Sequence, residues 1–426
     1  MPLTLHASLS LIIFFACYLG VVLFHDKKIL FSFITVFLLI SLGIVKLGEV
    51  PQIIDWNVIF IIIGTSLLVC PFVEAKIPQC IADGIVNHLH RADLILISIC
   101  LFAGFISAFL ENVSTVLIVA PVALELTRRM DISPVDTMIA VAVSSNLQGA
   151  ATLIGDPPSM ILASYTRMNF NDFIIFKGKP GLFFAVQIGA IFSTLVLWIV
   201  FRNCKKKINL HEEVEVISWV PGYLLGAMII TLIIVSSLNL QVPCLLGIVC
   251  LTFGILGIIT TSLGKMTMSL KKYSTAIDWE TIFFLSFIFI IIYALTKNNW
   301  MEFIARKLAI ISRGNILLAY ILIIIVSLLV SAFVDNIPYL VAAIPVAHSL
   351  SGAMNRTSYL LLFGLLIGCT LGGNITPIGA SANVTAVGIL KRNGYRVTFI
   401  DFLKVGLPFT LSAVLSASIF LWFVWK

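Results

Sequence analysis

The chain has 426 residues, 60% hydrophobic and 11% charged, with net charge +7 and mean hydropathy +1.10. A soluble domain carries about 25% charged residues, so an ordinary soluble enzyme is excluded, and the basic excess lies in short loops, where it reports topology and not nucleic-acid binding. Eight cysteines are scattered with no CxxC pair, which indicates neither a disulfide framework nor a zinc site.

The apolar sequence falls in runs of roughly 17–22 residues, the length that crosses hydrocarbon. No Lys or Arg precedes the first run, so it lacks the basic region of a secretory signal and is expected to be retained. In chain order, spans one to three are expected at Leu9–Phe24, Ile29–Val45 and Trp56–Phe72, followed by an interfacial segment, Glu74–Arg91. Leu94–Leu110 and Ser114–Leu126 are apolar helices parted only by a few residues around Glu111 and Asn112, too short and polar a link for an aqueous loop. They read as a re-entrant hairpin (94–127) whose tip dips toward the midplane. Span four, Val135–Tyr165 (broken helix 135–166), an interfacial segment Met168–Pro180 and span five, Leu182–Phe201, complete the first half. The charged stretch Arg202–Glu215 is the joint, dividing 1–207 from 208–426. Spans six to eight follow at Trp219–Leu238, Val242–Leu263 and Trp279–Thr296. Lys297–Asn315 is interfacial, a second hairpin (316–350) carries Asp335 and Asn336 at its tip, and span nine, Tyr359–Leu390, lies in broken helix 358–391. Lys391–Lys404 is expected at the surface and span ten at Val405–Trp425.

Two stretches resist a continuous helix: SNLQGAATLIGDPPS (Ser145–Ser159) and CTLGGNITPIGASAN (Cys369–Asn383). Glycine costs about 1 kcal/mol and proline about 3 kcal/mol inside a helix. Irregular backbone at membrane depth survives only where protein buries it or water reaches it. Both stretches therefore read as broken helices that build a site near the midplane.

The halves repeat. SAFLENVSTVLIVAPVALEL (Ser107–Leu126) answers SAFVDNIPYLVAAIPVAHSL (Ser331–Leu350) at an offset of 224, which also superposes Gly149 on Gly373, Thr152 on Thr376 and Gly155 on Gly379. Five spans per half is an odd number, so the second half is expected upside down. Most of the 27 Lys and Arg then fall in inward loops if both termini lie outside. Among those inward residues are Lys27, Lys28, Lys76, Arg91, the 205–207 lysines and Lys265. The expected fold class is thus an all-α polytopic membrane protein of two inverted repeats, each with five transmembrane helices, one re-entrant hairpin and one broken helix.

A broken helix exposes N–H groups at one half and C=O groups at the other, favouring anions and cations respectively. Glu111, Asp335 and Asp156 lie deep in apolar sequence, where acids are rare and costly unless paired or protonated. The same three stand where helices would need N-caps, and both roles stay open. Asp55 and Asp278 read as N-caps, Cys369 as a small packing residue, and His348 as a local hydrogen-bonding residue. The expected substrate and ion site comprises Glu111, Asn112, Ser114, Thr115, Asn146, Gly149, Thr152, Gly155, Asp156, Asp335, Asn336, Gly373, Asn374, Thr376, Gly379, Ser381 and Asn383. A bound sodium is expected at Asn112, Thr152, Asn336 and Thr376; no other cofactor and no catalytic residue is expected. No nucleotide-binding, zinc-protease or serine-hydrolase motif appears.

ENVSTVLIVAP (Glu111–Pro121), GAATLIGDPPS (Gly149–Ser159), DNIP (Asp335–Pro338) and LGGNITPIGASANV (Leu371–Val384), in this order, resemble the ion transporter superfamily. The resemblance is closest to the arsenite permease and sodium–proton antiporter group that includes the melanosomal P protein. It implies an elevator-type secondary transporter, commonly a homodimer, in the cell membrane. The tips here are acidic, where sodium–dicarboxylate members carry Ser-Asn-Thr, and neither site has an Arg to clamp a carboxylate. The expected function is carriage of a small inorganic solute of the arsenite or antimonite type, or another anion, coupled to protons or sodium. A sodium–proton antiporter is the alternative, followed by a sodium-coupled carboxylate symporter. A channel fits two broken helices poorly, and an intramembrane enzyme would need a constellation that is not visible.

Overall fold

Apolar runs become helices, and glycine, proline and capping residues set where they stop. The computed structural model describes residues 5–24, 27–204, 214–238, 240, 242–263, 266, 268–354 and 359–426. The expected joint at Arg202–Glu215 and the division after residue 207 lie largely outside the described residues, as do His25, Lys205, Lys206, Lys207, Lys265 and Ser358.

The first half contains α1 (Leu5–Leu23), α2 (Lys28–Ser41), α3 (Val50–Ile53), α4 (Trp56–Glu74) and α5 (Ile77–His88). Next come α6 (Ala92–Ser107), α7 (Asn112–Met130), α8 (Pro134–Gly149), α9 (Pro157–Thr166) and α10 (Leu182–Phe201). The second half contains α11 (Val220–Ser237), α12 (Leu245–Leu263), α13 (Leu270–Ala276), α14 (Trp279–Lys297) and α15 (Trp300–Ile311). It ends with α16 (Ile316–Ser331), α17 (Asn336–Ala353), α18 (Tyr359–Gly372), α19 (Ser381–Arg392) and α20 (Phe399–Trp425). The hairpins are α6–α7 and α16–α17. The interrupted helices are α8–α9 and α18–α19. Asp55 and Asp278 do cap their helices, accepting from Val58 N at 3.2 Å and Thr281 N at 3.0 Å.

Three expectations need correction. Ten crossings were expected, but among the described residues six helices (α4, α10, α11, α12, α14 and α20) are long and apolar enough to span a bilayer. A seventh results only if α15 and α16, which meet at 120°, count as one. The shortfall has local causes: α2 stops at Ser41 before a turn through Gly43 at φ 68°, and the interrupted helices divide their runs into halves. Second, the described residues are helical in their regular elements except within Met168–Pro180, expected as an interfacial segment. It carries a small antiparallel pair, β1 (Ile175–Phe176) and β2 (Lys179–Pro180), closed by Lys177 and Gly178, both at positive φ as a two-residue hairpin demands. Third, the surface stretch before span ten ends at Thr398. There a capping box forms, Thr398 Oγ1 accepting from Asp401 N at 3.2 Å while the Asp401 carboxylate accepts from Thr398 N at 3.1 Å, so α20 starts at Phe399.

The centre of the molecule is α8 and α18. In α18 every residue from Leu360 to Gly372 is buried, and α8 is buried along almost its whole length. Helices apolar on all sides belong in such places. By contrast α10, α11, α12 and α20 present many large apolar side chains outward, as lipid-facing helices do. Small residues draw the buried helices together. Gly364, Gly368 and Gly372 recur every fourth residue on one face of α18. A methyl group at 368 or 372 would lie 2.9 Å from Ile324 O or 2.7 Å from Leu328 O, both on α16. The same device joins α4 to α12, where a methyl on Gly64 would sit 2.2 Å from the Cys250 backbone.

Candidate functional site at two helix breaks

α8 ends at Gly149 and α9 begins at Pro157. Between them the backbone turns repeatedly, and Pro157-Pro158 can only open a new helix, because their missing N–H groups fall where none is needed. Asp156 is the N-cap, its carboxylate accepting from Ser159 N at 2.9 Å. In the second half α18 runs into a 3-10 turn, Gly373–Ile375, then an extended Thr376, and α19 starts at Ser381. The N-cap there is Ala380, so no side chain caps α19.

Each hairpin tip is tied to the break behind it by matched contacts. Thr152 Oγ1 donates to Ala108 O, and Thr376 Oγ1 to Ala332 O. Ser107 Oγ donates to Asn112 Oδ1 at 2.6 Å, and Ser331 Oγ donates to Asn336 Oδ1. Ser145 Oγ donates to Asn112 O at 3.2 Å, and Cys369 Sγ to Asn336 O at 3.2 Å. Cys369 thus occupies the place of a serine, as a buried donor to the tip. Glycine lets these parts meet. A methyl at Gly155 would lie 2.4 Å from Gly149 O and 2.9 Å from Ser107 O; one at Gly149 would lie 2.3 Å from Asn112 Oδ1. At Gly379 it would lie 2.6 Å from Gly373 O, and at Gly373 it would lie 3.1 Å from Asn336 Oδ1. Each tip therefore gathers neutral oxygens around glycine. That donor set suits a hard alkali cation. Among the described residues no group of three His, Cys, Asp or Glu could hold a transition metal.

The two breaks meet. Asn146 Nδ2 on α8 donates to Asn374 Oδ1 at 2.7 Å and to Asn383 Oδ1 at 2.9 Å. Asn374 Nδ2 donates back to Val143 O at 3.2 Å, and Asn383 Nδ2 donates to Gly373 O and Thr376 O, each at 2.9 Å. All three amides are buried. The hairpins cross over: α7 packs on α19 and α17 packs on α9.

Of the expected site residues, the structure brings Asn112, Asn146, Gly149, Thr152, Gly155, Asn336, Gly373, Asn374, Thr376, Gly379 and Asn383 into this connected cluster. Glu111 is half-buried at the tip, at the N-cap position but with no capping bond; its carboxylate accepts from Ser114 Oγ at 3.3 Å. Thr115 Oγ1 is buried without a partner. Asp335 does cap α17, accepting from Ile337 N at 3.3 Å, and Asp156 caps α9. Ser381 is exposed at the first turn of α19, apart from the buried amides. Three residues that hold the cluster, Ser107, Ser145 and Ser331, escaped the reading, although the repeated SAF before each tip and the opening serine of the first break were visible in the sequence. Lys28 was read only as a topology marker, yet it is buried against Asp335.

A recess of about 610 Å³ opens between α3, Asp55 at the N-cap of α4, and α14 on one side and α9 and α17 on the other. Glu49, Gln52 and Asp55 stand in its wall, and it reaches Ile161 in the middle of α9 and Val341 in the second turn of α17. Ser164 Oγ donates to the Asp55 carboxylate across it. His348, also on α17, is exposed and packs edge-on against Tyr165, with ring centroids 5.8 Å apart.

Comparison with known proteins agrees with this architecture. The sequence profile described as "Citrate transporter" matches residues 11–251 and 230–426. A 46 kDa membrane protein of Mycobacterium leprae is 32% identical over 87% of this chain and 86% of its own length. An uncharacterized transporter of Synechocystis is 26% identical over 97% of each chain, and the P protein of Mus musculus is 26% identical over 86% of this chain and 53% of its own length. Among solved structures, the YdaH transporter of Alcanivorax borkumensis superposes with a TM-score of 0.59 at 14% identity, covering 88% of this chain and 86% of that one. With the family's profile covering both halves and the polar breaks buried between its apolar helices, the chain belongs to the CitMHS citrate transporter family and is an integral membrane transporter, not an enzyme.

Proposed function

We propose that this protein is an elevator-type secondary carrier that exchanges a small inorganic solute, arsenite, antimonite or another anion, against protons or sodium. In this reading the chain is two inverted repeats, 1–207 and 208–426, working as a homodimer in the cell membrane with both termini outside. The hairpins and broken helices form the moving block. Glu111, Asn112, Ser114, Thr115, Thr152, Gly149 and Gly155 would hold the coupling cation at the first tip; Asn336, Thr376, Gly373 and Gly379 would form the matching oxygens of the second, where Asp335 faces Lys28. Asn146, Asn374 and Asn383 would keep the two halves of the block in register, with Asp156 and Ser381 at the N-terminal ends facing the solute.

The observation that carries this reading is the buried Asn146 bridge to Asn374 and Asn383, which ties one break to the other while each hairpin tip hangs on its own break. Such a unit can move as one body. The test is exchange in proteoliposomes with arsenite, with citrate, or with no added anion, with sodium and protons varied separately. Saturable exchange that requires a counter-ion supports a carrier; non-saturating flux would make it a channel. Glu111→Gln should abolish coupled exchange and change the melting temperature little, because the carboxamide keeps an oxygen to accept from Ser114 Oγ. Coupled exchange at the wild-type rate in that variant would remove Glu111 from the mechanism.

A second reading, a carboxylate cargo, is favoured by the family's description and by the uncapped N-terminus of α19, whose free N–H groups suit an anionic oxygen. Against it stands the lack of an Arg in either break. Sodium-dependent proton release without any anion would instead make the protein a sodium–proton antiporter.

A further inference from the structure

The two acidic tips are not equivalent. Lys28, the first residue of α2, has a side chain only 8% exposed. Its ammonium lies 3.7 Å from Asp335 Oδ2 and 3.4 Å from Glu280 Oε1, and 5.3 Å over the Phe284 ring. The Asp335 side chain is 12% exposed, whereas that of Glu280 is 55% exposed. The pair that is withdrawn from water is therefore Lys28–Asp335. Glu111 holds the same place in the first hairpin, and among the described residues no Lys, Arg or His lies within ion-pair distance of it; its side-chain partner is Ser114. A buried ammonium is costly unless its counter-charge is permanent. An acid that already faces such an ammonium has no call for a second cation.

We propose that Lys28 is a built-in cation: it fills, from α2, the place that a monovalent coupling cation would take beside Asp335. The hairpin-two tip is charge-compensated by the protein itself, and Glu111 is left as the one tip acid that takes up and releases the exchanged cation. This rests on the carrier reading above. It makes Lys28 a positioning residue that sets how many cations accompany each cycle.

The experiment compares wild type, Lys28→Gln, Asp335→Asn, the double variant Lys28→Gln/Asp335→Asn, and Glu280→Gln. Each is read by exchange in proteoliposomes and by melting of the purified protein in sodium chloride against choline chloride. Lys28→Gln leaves Asp335 without its counter-charge and Asp335→Asn leaves the buried Lys28 with only the half-exposed Glu280, so either single variant should lower exchange about tenfold or more, while the double variant should return to within about threefold of wild type. Lys28→Gln should gain a sodium-dependent rise in melting temperature beyond that of wild type, and Asp335→Asn added to it should abolish the gain. Glu280→Gln should behave as wild type. A double variant as inactive as Asp335→Asn overturns the proposal, as does a Lys28→Gln protein with the wild-type sodium response. If Lys28→Gln does not fold, the double variant decides: failure of that protein to fold as well makes Lys28 structural and overturns the proposal. A wild type without exchange refutes the carrier reading, and the sodium-dependent melting still decides the role of Lys28.

Discussion

Gly155→Ala tests whether the first break is as closely built as its contacts indicate. An added methyl would sit 2.4 Å from Gly149 O and 2.9 Å from Ser107 O. Both are main-chain carbonyls, so neither can swing aside as a side chain would. The break must open by about 1 Å to restore ordinary contact, and overpacking of this kind costs about 1–3 kcal/mol. The residue is not at positive φ, so the alanine backbone is unstrained and the effect is steric alone. Displacement of about 1 Å at a site where oxygens must converge on a ligand can also lower a rate about 100-fold. The assay is exchange in proteoliposomes beside thermal melting of the purified variant. Gly226→Ala on α11 is the control, because a methyl there meets nothing within 4 Å and should leave stability equal or raise it by about 0.5–1 kcal/mol. A Gly155→Ala protein with wild-type melting and exchange would refute the reasoning, because the tip, Gly149 and Gly155 could not then be in contact.

Other outcomes follow from the same geometry. Asn146→Ala removes both donors to Asn374 and Asn383 and strands two buried amide oxygens, at about 1–3 kcal/mol each, so the melting temperature should fall well below that of wild type; an unchanged value would mean that the amides find water. Cysteines at positions 55 and 164, placed in a background without the native cysteines, should form a disulfide on oxidation and stop exchange until reduced, since Asp55 and Ser164 join α4 to α9 across the recess; full exchange in the oxidised protein would argue against sliding of α9 past α4. The Lys297 ammonium, helped by the Lys46 N–H, holds the Glu49 carboxyl below the usual carboxylate range. A lowered acid stabilises the fold above its ordinary value, about 4.3, and loses that contribution as pH falls through the lowered one. Any melting difference between wild type and Glu49→Gln should therefore be constant near neutrality and vanish in acid; a difference that grows on acidification would contradict the pairing.

Much of this arrangement was legible in the residues. Pro157-Pro158, the glycines of both breaks and the acidic tips each violate what a continuous apolar helix allows, so local chemistry alone marked them. The offset of 224 then told which contacts should come in pairs, and Thr152–Ala108 with Thr376–Ala332 is such a pair. The β1–β2 pair was missed because two-residue strands carry no periodicity; only the Lys177-Gly178 turn could have announced it. Lys28 was misread for a different reason. A lysine beside a loop usually reports topology, and its burial depends on where the α17 tip and α14 happen to lie, which no local pattern encodes. The early start of α20 was readable from Thr398 and Asp401, a capping box three residues apart.

The recess beside α9 carries an electrical consequence. A bilayer presents about 30 Å of insulator; in the carrier proposed above, with water filling the recess that reaches Ile161 and Val341, the barrier behind it would be thinner. Most of the transmembrane voltage would then drop across the packed layer of α8, α18 and the hairpin tips. An ion displaced there would cross a larger share of the field than over the same distance in a full bilayer, where the whole potential is worth about 2.3 kcal/mol per charge for each 100 mV. In that proposal a short stroke of the block would draw on more of the membrane voltage than its length alone suggests.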